Sequence, residues 1–272
     1  MLNRDDPQWG KLARSSPGRA VTYGTHEEAD LRLTDVVLSP EQTTFALETA
    51  DARPVEVATP LVGLHNALNL TAAVAAAQAL GVDLAHAVRG ARQVTGVPGR
   101  LERVAASAEL HAYVDYAHTE EALREVLAFL GEVGDGPVVC VVGCGGDRDR
   151  TKRPRMARAA AELAARVYLT SDNPRTEDPL AILRDMEAGV PAELRTRVST
   201  VPDRAQAIEQ AVLEAPSGAC VLVAGKGHED YQILGTEKIP FDDARELRRA
   251  LAARRQAIDG VRPGRRPGTD EV

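Results

Sequence analysis

Aromatic residues are scarce in this chain, with one Trp, five Tyr and three Phe among 272 residues. Few flat rings are therefore available to stack on bases. A formal net charge of −7 also opposes an anionic polymer or membrane surface. Nucleic acid is set aside as a partner. Cysteine is equally rare: Cys140, Cys144 and Cys220 lie in or beside apolar runs without zinc-ligand spacing. They are expected to be reduced and buried, as in a cytoplasmic protein, and no metal site is assigned. No apolar run is long enough to span a bilayer and no signal peptide is read, so membrane insertion is not expected. The Gly-x-x-x-x-Gly-Lys-Ser/Thr string that cradles nucleotide phosphates is missing as well.

What is present is most informative at Ser171-Asp172-Asn173-Pro174-Arg175-Thr176-Glu177-Asp178-Pro179, directly after the apolar run Arg166 to Thr170. Two prolines fix φ and remove amide donors, so the strand must end and turn there. The C-terminal edge of a strand is where open α/β sheets hold ligands. An arginine displayed at that edge offers a planar fork for a carboxylate, with Asp and Asn beside it for an amine. The loop reads as a seat for a zwitterion such as an amino acid.

Along the rest of the chain, short β-like runs occur at 20–23, 31–38, 43–48 and 55–58. An Ala-rich helix is expected over Asn66–Leu80, ended by Gly81, and another over Leu84–Ala91. The Gly/Pro-rich stretch Thr95 to Arg100 marks a domain boundary. Beyond it, strands are expected at 112–116, 138–142, 166–170, 197–201 and 220–224. Helices fall between them at 120–130, 153–165, 179–187 and 204–213, with a basic one at 242–257. This alternation predicts an α/β fold: a Rossmann-like C-terminal domain over 99–260 with a mainly parallel sheet. A mixed α/β unit over 1–98 precedes it, and residues 261–272 are expected to be disordered.

Other polar loops follow strands in the same domain. Gly143-Cys144-Gly145-Gly146-Asp147-Arg148 lets backbone approach a ligand closely, although such glycines often serve a turn alone. Gly225-Lys226-Gly227-His228-Glu229 is an ordinary tight turn if taken in isolation. Several charged loops at neighbouring strand ends are harder to dismiss. Asp115 ends the first strand of the domain and is a candidate for a ribose or metal contact, whereas Thr119 is expected to cap the following helix. Asn66 and Asn69 share a helix face; a capping role suits Asn66, and the Asn69 amide could read an adenine edge.

In order and wording, these strings resemble the Mur ligases of peptidoglycan synthesis, and among them the diaminopimelate-adding branch. The resemblance runs through Asn3 to Pro7, Thr59 to Gly63, Asn66 to Asn69, Val97 to Arg100, Asp115 to Thr119, Gly143 to Pro154, Asp172 to Pro179 and Ala224 to Gln232. It implies ATP- and Mg2+-dependent amide-bond formation joining meso-diaminopimelate to UDP-MurNAc-L-Ala-D-Glu (the UDP-MurNAc-dipeptide). The acceptor carboxylate would be phosphorylated and the acyl phosphate attacked by the incoming amine. By resemblance, Asp172, Asn173, Pro174 and Arg175 bind diaminopimelate, with Arg148, Gly225 and Glu229 completing that site. Asn69, Arg100 and Asp115 would contact ATP at its adenine, phosphate and ribose. A monomeric cytoplasmic protein is expected.

The departures matter equally. The family's UDP-sugar domain, Gly-Lys-Thr loop, carbamylated lysine and metal-binding residues have no counterpart here. Residues 1–98 are thus expected to be part of the central ATPase domain, with exposed strand edges. No catalytic residue is assigned within the chain, which is expected to be inactive by itself. A rival reading is a non-catalytic amino-acid-binding module. A dinucleotide-binding oxidoreductase would rest on the Gly143 loop alone, which lacks the required spacing.

Overall fold

The computed structural model describes residues 1–50, 52–107 and 109–261. Its N-terminal part contains β1 (Leu2–Asn3), α1 (Trp9–Ser15), β2 (Thr22–Gly24), β3 (Leu31–Leu38), β4 (Thr43–Thr49), β5 (Ala52–Thr59), α2 (Leu64–Ala79) and α3 (Leu84–Arg92). The strands form one sheet in the order β1-β2-β3-β4-β5, parallel from β1 to β3 and antiparallel from β3 to β5. Alternation along β3 buries Leu31 and Leu33 on the face that meets Ala67, Leu70 and Val74 of α2. Gly81 ends α2 with φ +89, and Val82 N reaches back to Ala77 O at 3.0 Å. Helix α1 lies outside the sequence expectation because it has no buried face; its Trp9 ring instead lies under the Arg4 guanidinium at 3.5 Å.

The C-terminal part contains β6 (Glu102–Ser107), β7 (Leu110–Asp115), α4 (Glu120–Val133), β8 (Val138–Cys144), α5 (Lys152–Leu163), β9 (Arg166–Ser171), α6 (Pro179–Glu187), β10 (Val198–Thr200), α7 (Arg204–Glu214), β11 (Ala219–Ala224), the hairpin β12 (Tyr231–Leu234) with β13 (Glu237–Pro240), and α8 (Asp243–Val261). Its six-stranded sheet runs β10-β9-β8-β11-β7-β6, parallel throughout except for β6. Helices α4, α5 and α6 cover one face, while α7 and α8 cover the other. Every residue of β8 and β11 is buried, as expected of strands covered on both sides. The α/β architecture with a mainly parallel C-terminal sheet is as the alternation predicts.

The differences are local. Strand β6 pairs antiparallel with β7 across a register shift, so its short polar and Ala-rich run shows no clean period. Arg197 belongs to a 3₁₀ turn, Ala192–Arg197, rather than to the strand expected from 197 onward. Tyr116 lies beyond β7, which ends at Asp115. Residues 262–272 of the expected disordered tail lie outside the described residues. Among the described residues, no helix is long and apolar enough to cross a membrane.

Candidate functional site

Loops leave the C-terminal ends of β7, β8, β9 and β11 and meet over one edge of the six-stranded sheet. The loop after β9 is held at its far end by Asp178, whose carboxylate accepts from Leu180 N at 3.0 Å and caps α6, with Pro179 in the first turn. Asp172, Asn173 and Pro174 are buried, and Arg175 is half-buried. Arg175 holds φ at +52°, a conformation non-glycine residues seldom adopt, which concentrates at functional loops.

This loop is laced to the Gly145–Arg150 loop. Gly146 N donates to Asn173 O at 2.9 Å, and Arg175 Nη1 donates to Gly146 O at 2.8 Å. Asp147 N donates to Glu177 Oε1 at 2.6 Å, while Thr176 Oγ1 donates to the Asp147 carboxylate at 2.9 Å. A Cβ on Gly146 would lie 1.9 Å from Pro174 O, so only glycine permits this approach. Beneath the lacing, fully buried Arg153 pairs with Glu177 and Asp185, both at 2.8 Å. The Arg153 hydrogen bond, with the Asp147 amide second, holds the Glu177 carboxyl down at about 2.

The third loop enters from β11. Gly225 (φ +115°) and Gly227 (φ +54°) flank Lys226, whose side chain turns inward and is fully buried. Its Nζ lies 3.2 Å from Asn173 Oδ1, 3.2 Å from Glu229 Oε2 and 3.4 Å from Asp172 Oδ1. Asn173 Nδ2 donates to the same Glu229 oxygen at 2.8 Å. The hairpin closes the side: Gln232 Nε2 donates to Asp172 O, Ile233 N to Asn173 Oδ1, and Arg175 N to Ile233 O. Among the described residues, Asp172 Oδ2, Glu229 Oε1 and the Nε and Nη2 of Arg175 take no hydrogen bond. The site thus offers acceptors for an ammonium beside a donor edge for a carboxylate.

Arg148 is exposed, and its guanidinium contacts only its neighbour's carbonyl, Asp147 O. A Cβ on Gly145 would lie 2.8 Å from Arg175 Nη1 and 3.9 Å from Arg148 Cγ, so both side chains pass the same glycine. Gly225 N donates to Asp115 O, tying this cluster to the end of β7. Asp115 itself is buried, and its oxygens accept from Leu101 N at 2.6 Å and Ala117 N at 2.7 Å. Its visible work is therefore to pin the linker between the two sheets. Arg100, next in that linker, lies exposed over the Tyr116 ring at 4.9 Å. Asn66 does not cap α2, whose N-cap is Gly63; its Nδ2 donates instead to Val62 O, and Asn69 is exposed and makes no side-chain hydrogen bond among the described residues. Thr119 caps α4 through Ala122 N.

Two further observations bound the chemistry. Burial pushes the Cys144 thiol at the end of β8 up to about 12, so it stays protonated and is not a nucleophile. Among the described residues no group of His, Cys, Asp and Glu is arranged to hold a metal ion. A cavity of about 430 Å³ lined by Arg184, Glu187, Arg195 and Thr200 lies away from these loops, so the polar convergence rather than the volume marks the site.

The Mur ligase middle domain model matches residues 1–77, and the model for the Mur ligase glutamate ligase domain matches residues 99–227. The chain belongs to the Mur ligase family. It is 49% identical over 256 residues to a UDP-N-acetylmuramoyl-L-alanyl-D-glutamate–2,6-diaminopimelate ligase of Gloeobacter violaceus, covering 94% of this chain and 52% of the relative. The ligase of the same name from Geobacillus thermodenitrificans is 45% identical, with 94% and 52% covered. A solved structure of that kind of ligase superposes with a TM-score of 0.66 at 39% identity, covering 93% of this chain and 53% of the other. The chain spans about half the length of the curated relatives it matches. A MurF structure from Acinetobacter baumannii, at 20% identity and a TM-score of 0.65, shares the fold.

In this Mur ligase chain, sequence reasoning missed Lys226, Gln232 and the β12–β13 hairpin. The hairpin had a signal, since Gly235-Thr236 separates two alternating runs. The Lys226 signal was fainter: a lysine between two glycines after a wholly apolar strand.

Proposed function

We propose that this chain provides the amino-acid-selecting part of an ATP-dependent ligase that joins meso-diaminopimelate to UDP-MurNAc-L-Ala-D-Glu. The observation that carries this reading is the pairing of unused acceptors on Asp172 and Glu229 with the unused guanidinium edge of Arg175. Those groups match the ammonium and carboxylate of one amino-acid end. Arg148 adds a second guanidinium from across Gly145, and Asn173, Pro174 and Gly225 fix the spacing. Binding one end this way would leave the other end of diaminopimelate to present its amine. Correct orientation of that amine is the contribution this part of the molecule makes to rate.

Similarity to ligases with that printed name supports the substrate assignment. The same similarity carries the role of ATP and Mg2+, which when bound supply activation of the acceptor carboxylate. The residues present fit that nucleotide in part. Among the described residues, Asn69 has an exposed amide without a partner, and Arg100 has a guanidinium engaged only with a ring. Asp115 has one backbone amide on each oxygen, and each oxygen keeps a lone pair. A phosphate-cradling string does not occur in the sequence, so no chemical step is assigned to these residues. A cytoplasmic setting suits the three free, buried cysteines.

Calorimetric titration of the chain with meso-diaminopimelate and with cadaverine, a diamine without carboxylates, tests the reading. Saturable binding of diaminopimelate, tighter than cadaverine by about tenfold or more, is expected from the carboxylate that Arg175 would pair. Equal affinities for the two ligands would overturn it.

A further inference from the structure

We propose that Lys226 is a positioning and specificity-determining residue. It holds Asp172, Asn173 and Glu229 in one cluster and offsets half of that cluster's negative charge. Its three ammonium hydrogens match three acceptors: Asn173 Oδ1 at 3.2 Å, Glu229 Oε2 at 3.2 Å and Asp172 Oδ1 at 3.4 Å. The side chain has no solvent exposure, and these partners compensate the buried ammonium. Each carboxylate meets the ammonium through one oxygen, and among the described residues Asp172 Oδ2 and Glu229 Oε1 take no hydrogen bond. Positive φ at Gly225 and Gly227 turns the lysine beneath the loop rather than into the opening.

The charge consequence is specific. Two carboxylates and one ammonium leave a single negative charge, beside the guanidinium groups of Arg175 and Arg148. A zwitterionic amino-acid end matches this balance. A bare ammonium, as at either end of cadaverine, meets an acidic pair already half neutralised and leaves the arginines without a carboxylate. Lys226 therefore weakens the competitor more than the zwitterion, a device built from what it repels. The choice of ligand rests on the reading above; the holding role does not.

The test compares the ratio of cadaverine to diaminopimelate dissociation constants in wild type, Lys226→Met, Lys226→Gln and Lys226→Arg. Lys226→Met is expected to weaken diaminopimelate by about 10- to 100-fold and cadaverine by less, narrowing the ratio. Lys226→Gln keeps a donor without the charge and should narrow it too, which carries the test if the Met variant does not fold. Lys226→Arg keeps the charge and should retain the preference even if both affinities drop. Parallel losses for both ligands in the Met and Gln variants would overturn the specificity role. If wild type binds neither ligand, the amino-acid reading fails, and nitrogen-15 spectra of the free chain judge the holding role separately. The Asn173 side-chain amide, bonded to Glu229, should then shift and exchange faster in Lys226→Gln than in Lys226→Arg. Identical Asn173 signals in wild type and Lys226→Gln would overturn that role.

Discussion

Arg175 carries the most chemical consequence of any single residue in the site. One edge of its guanidinium is committed to Gly146 O, and its backbone is fixed by Ile233 O and Gly235 N, so the remaining edge has a defined direction. A fork fixed in that way distinguishes a carboxylate from a hydrogen atom far better than a flexible lysine could. Arg175→Ala is expected to abolish the preference for diaminopimelate over the carboxylate-free diamine cadaverine while leaving the thermal midpoint within a few degrees. Unchanged relative affinities in a competition titration would contradict this. Asp172, Asn173 and Arg175 were legible in the sequence because a doubly proline-bounded, charged loop has no packing purpose. The work of Asp115 was not legible, since one of its two amide partners is Leu101 in the linker, fourteen residues earlier in the chain.

At the scale of elements, the site rests on two loops tied by Glu177 and Arg153, completed by the β11 loop and the hairpin, rather than on one loop at a strand end. Glu177 receives hydrogen bonds from Arg153 and the Asp147 amide and pairs with Arg150, which lowers its carboxyl from the ordinary glutamate value to about 2. A depressed folded-state value means that the stabilisation is fully present above the ordinary glutamate value. It is lost as pH falls through that value towards about 2. Comparing Glu177→Gln with wild type by urea denaturation should therefore show a gap at pH 7 that shrinks below pH 4. A gap independent of pH would show that the carboxylate charge is not what ties the loops. Strand and helix boundaries in this domain fall within a few residues of the sequence expectation, because burial on both faces leaves long apolar runs. The exceptions, β6 and the β12–β13 hairpin, are short and half-exposed, and long-range pairing decides them rather than period.

At the scale of the molecule, a five-stranded mixed sheet and a six-stranded largely parallel sheet are joined through the Gly99–Leu101 linker, with further contacts beside it. Tyr113 of β7 donates its hydroxyl to Pro40 O in the β3–β4 turn, and Arg103 of β6 reaches Glu41 O in the same turn. Burial raises the Tyr113 phenol well above its usual range, so it remains a donor. Placing the residues proposed to meet ATP on both sides of this junction follows from the order of motifs along the chain. Their mutual geometry does not, because it depends on how the sheets are docked. The chain lacks the Gly-x-x-x-x-Gly-Lys-Ser/Thr string, and the purified 272-residue protein is expected to hydrolyse ATP no faster than a buffer control. Turnover above that control would refute the assignment of phosphate chemistry to other parts of the ligase.

The most direct test of the proposed amino-acid seat is the structure of this chain crystallised with meso-diaminopimelate. One amino-acid end should lie between the loops, its carboxylate on the Arg175 Nε and Nη2 edge and its ammonium against Asp172 Oδ2 and Glu229 Oε1. A ligand bound elsewhere on the sheet edge, or seated with its ammonium towards Arg175, would contradict the account.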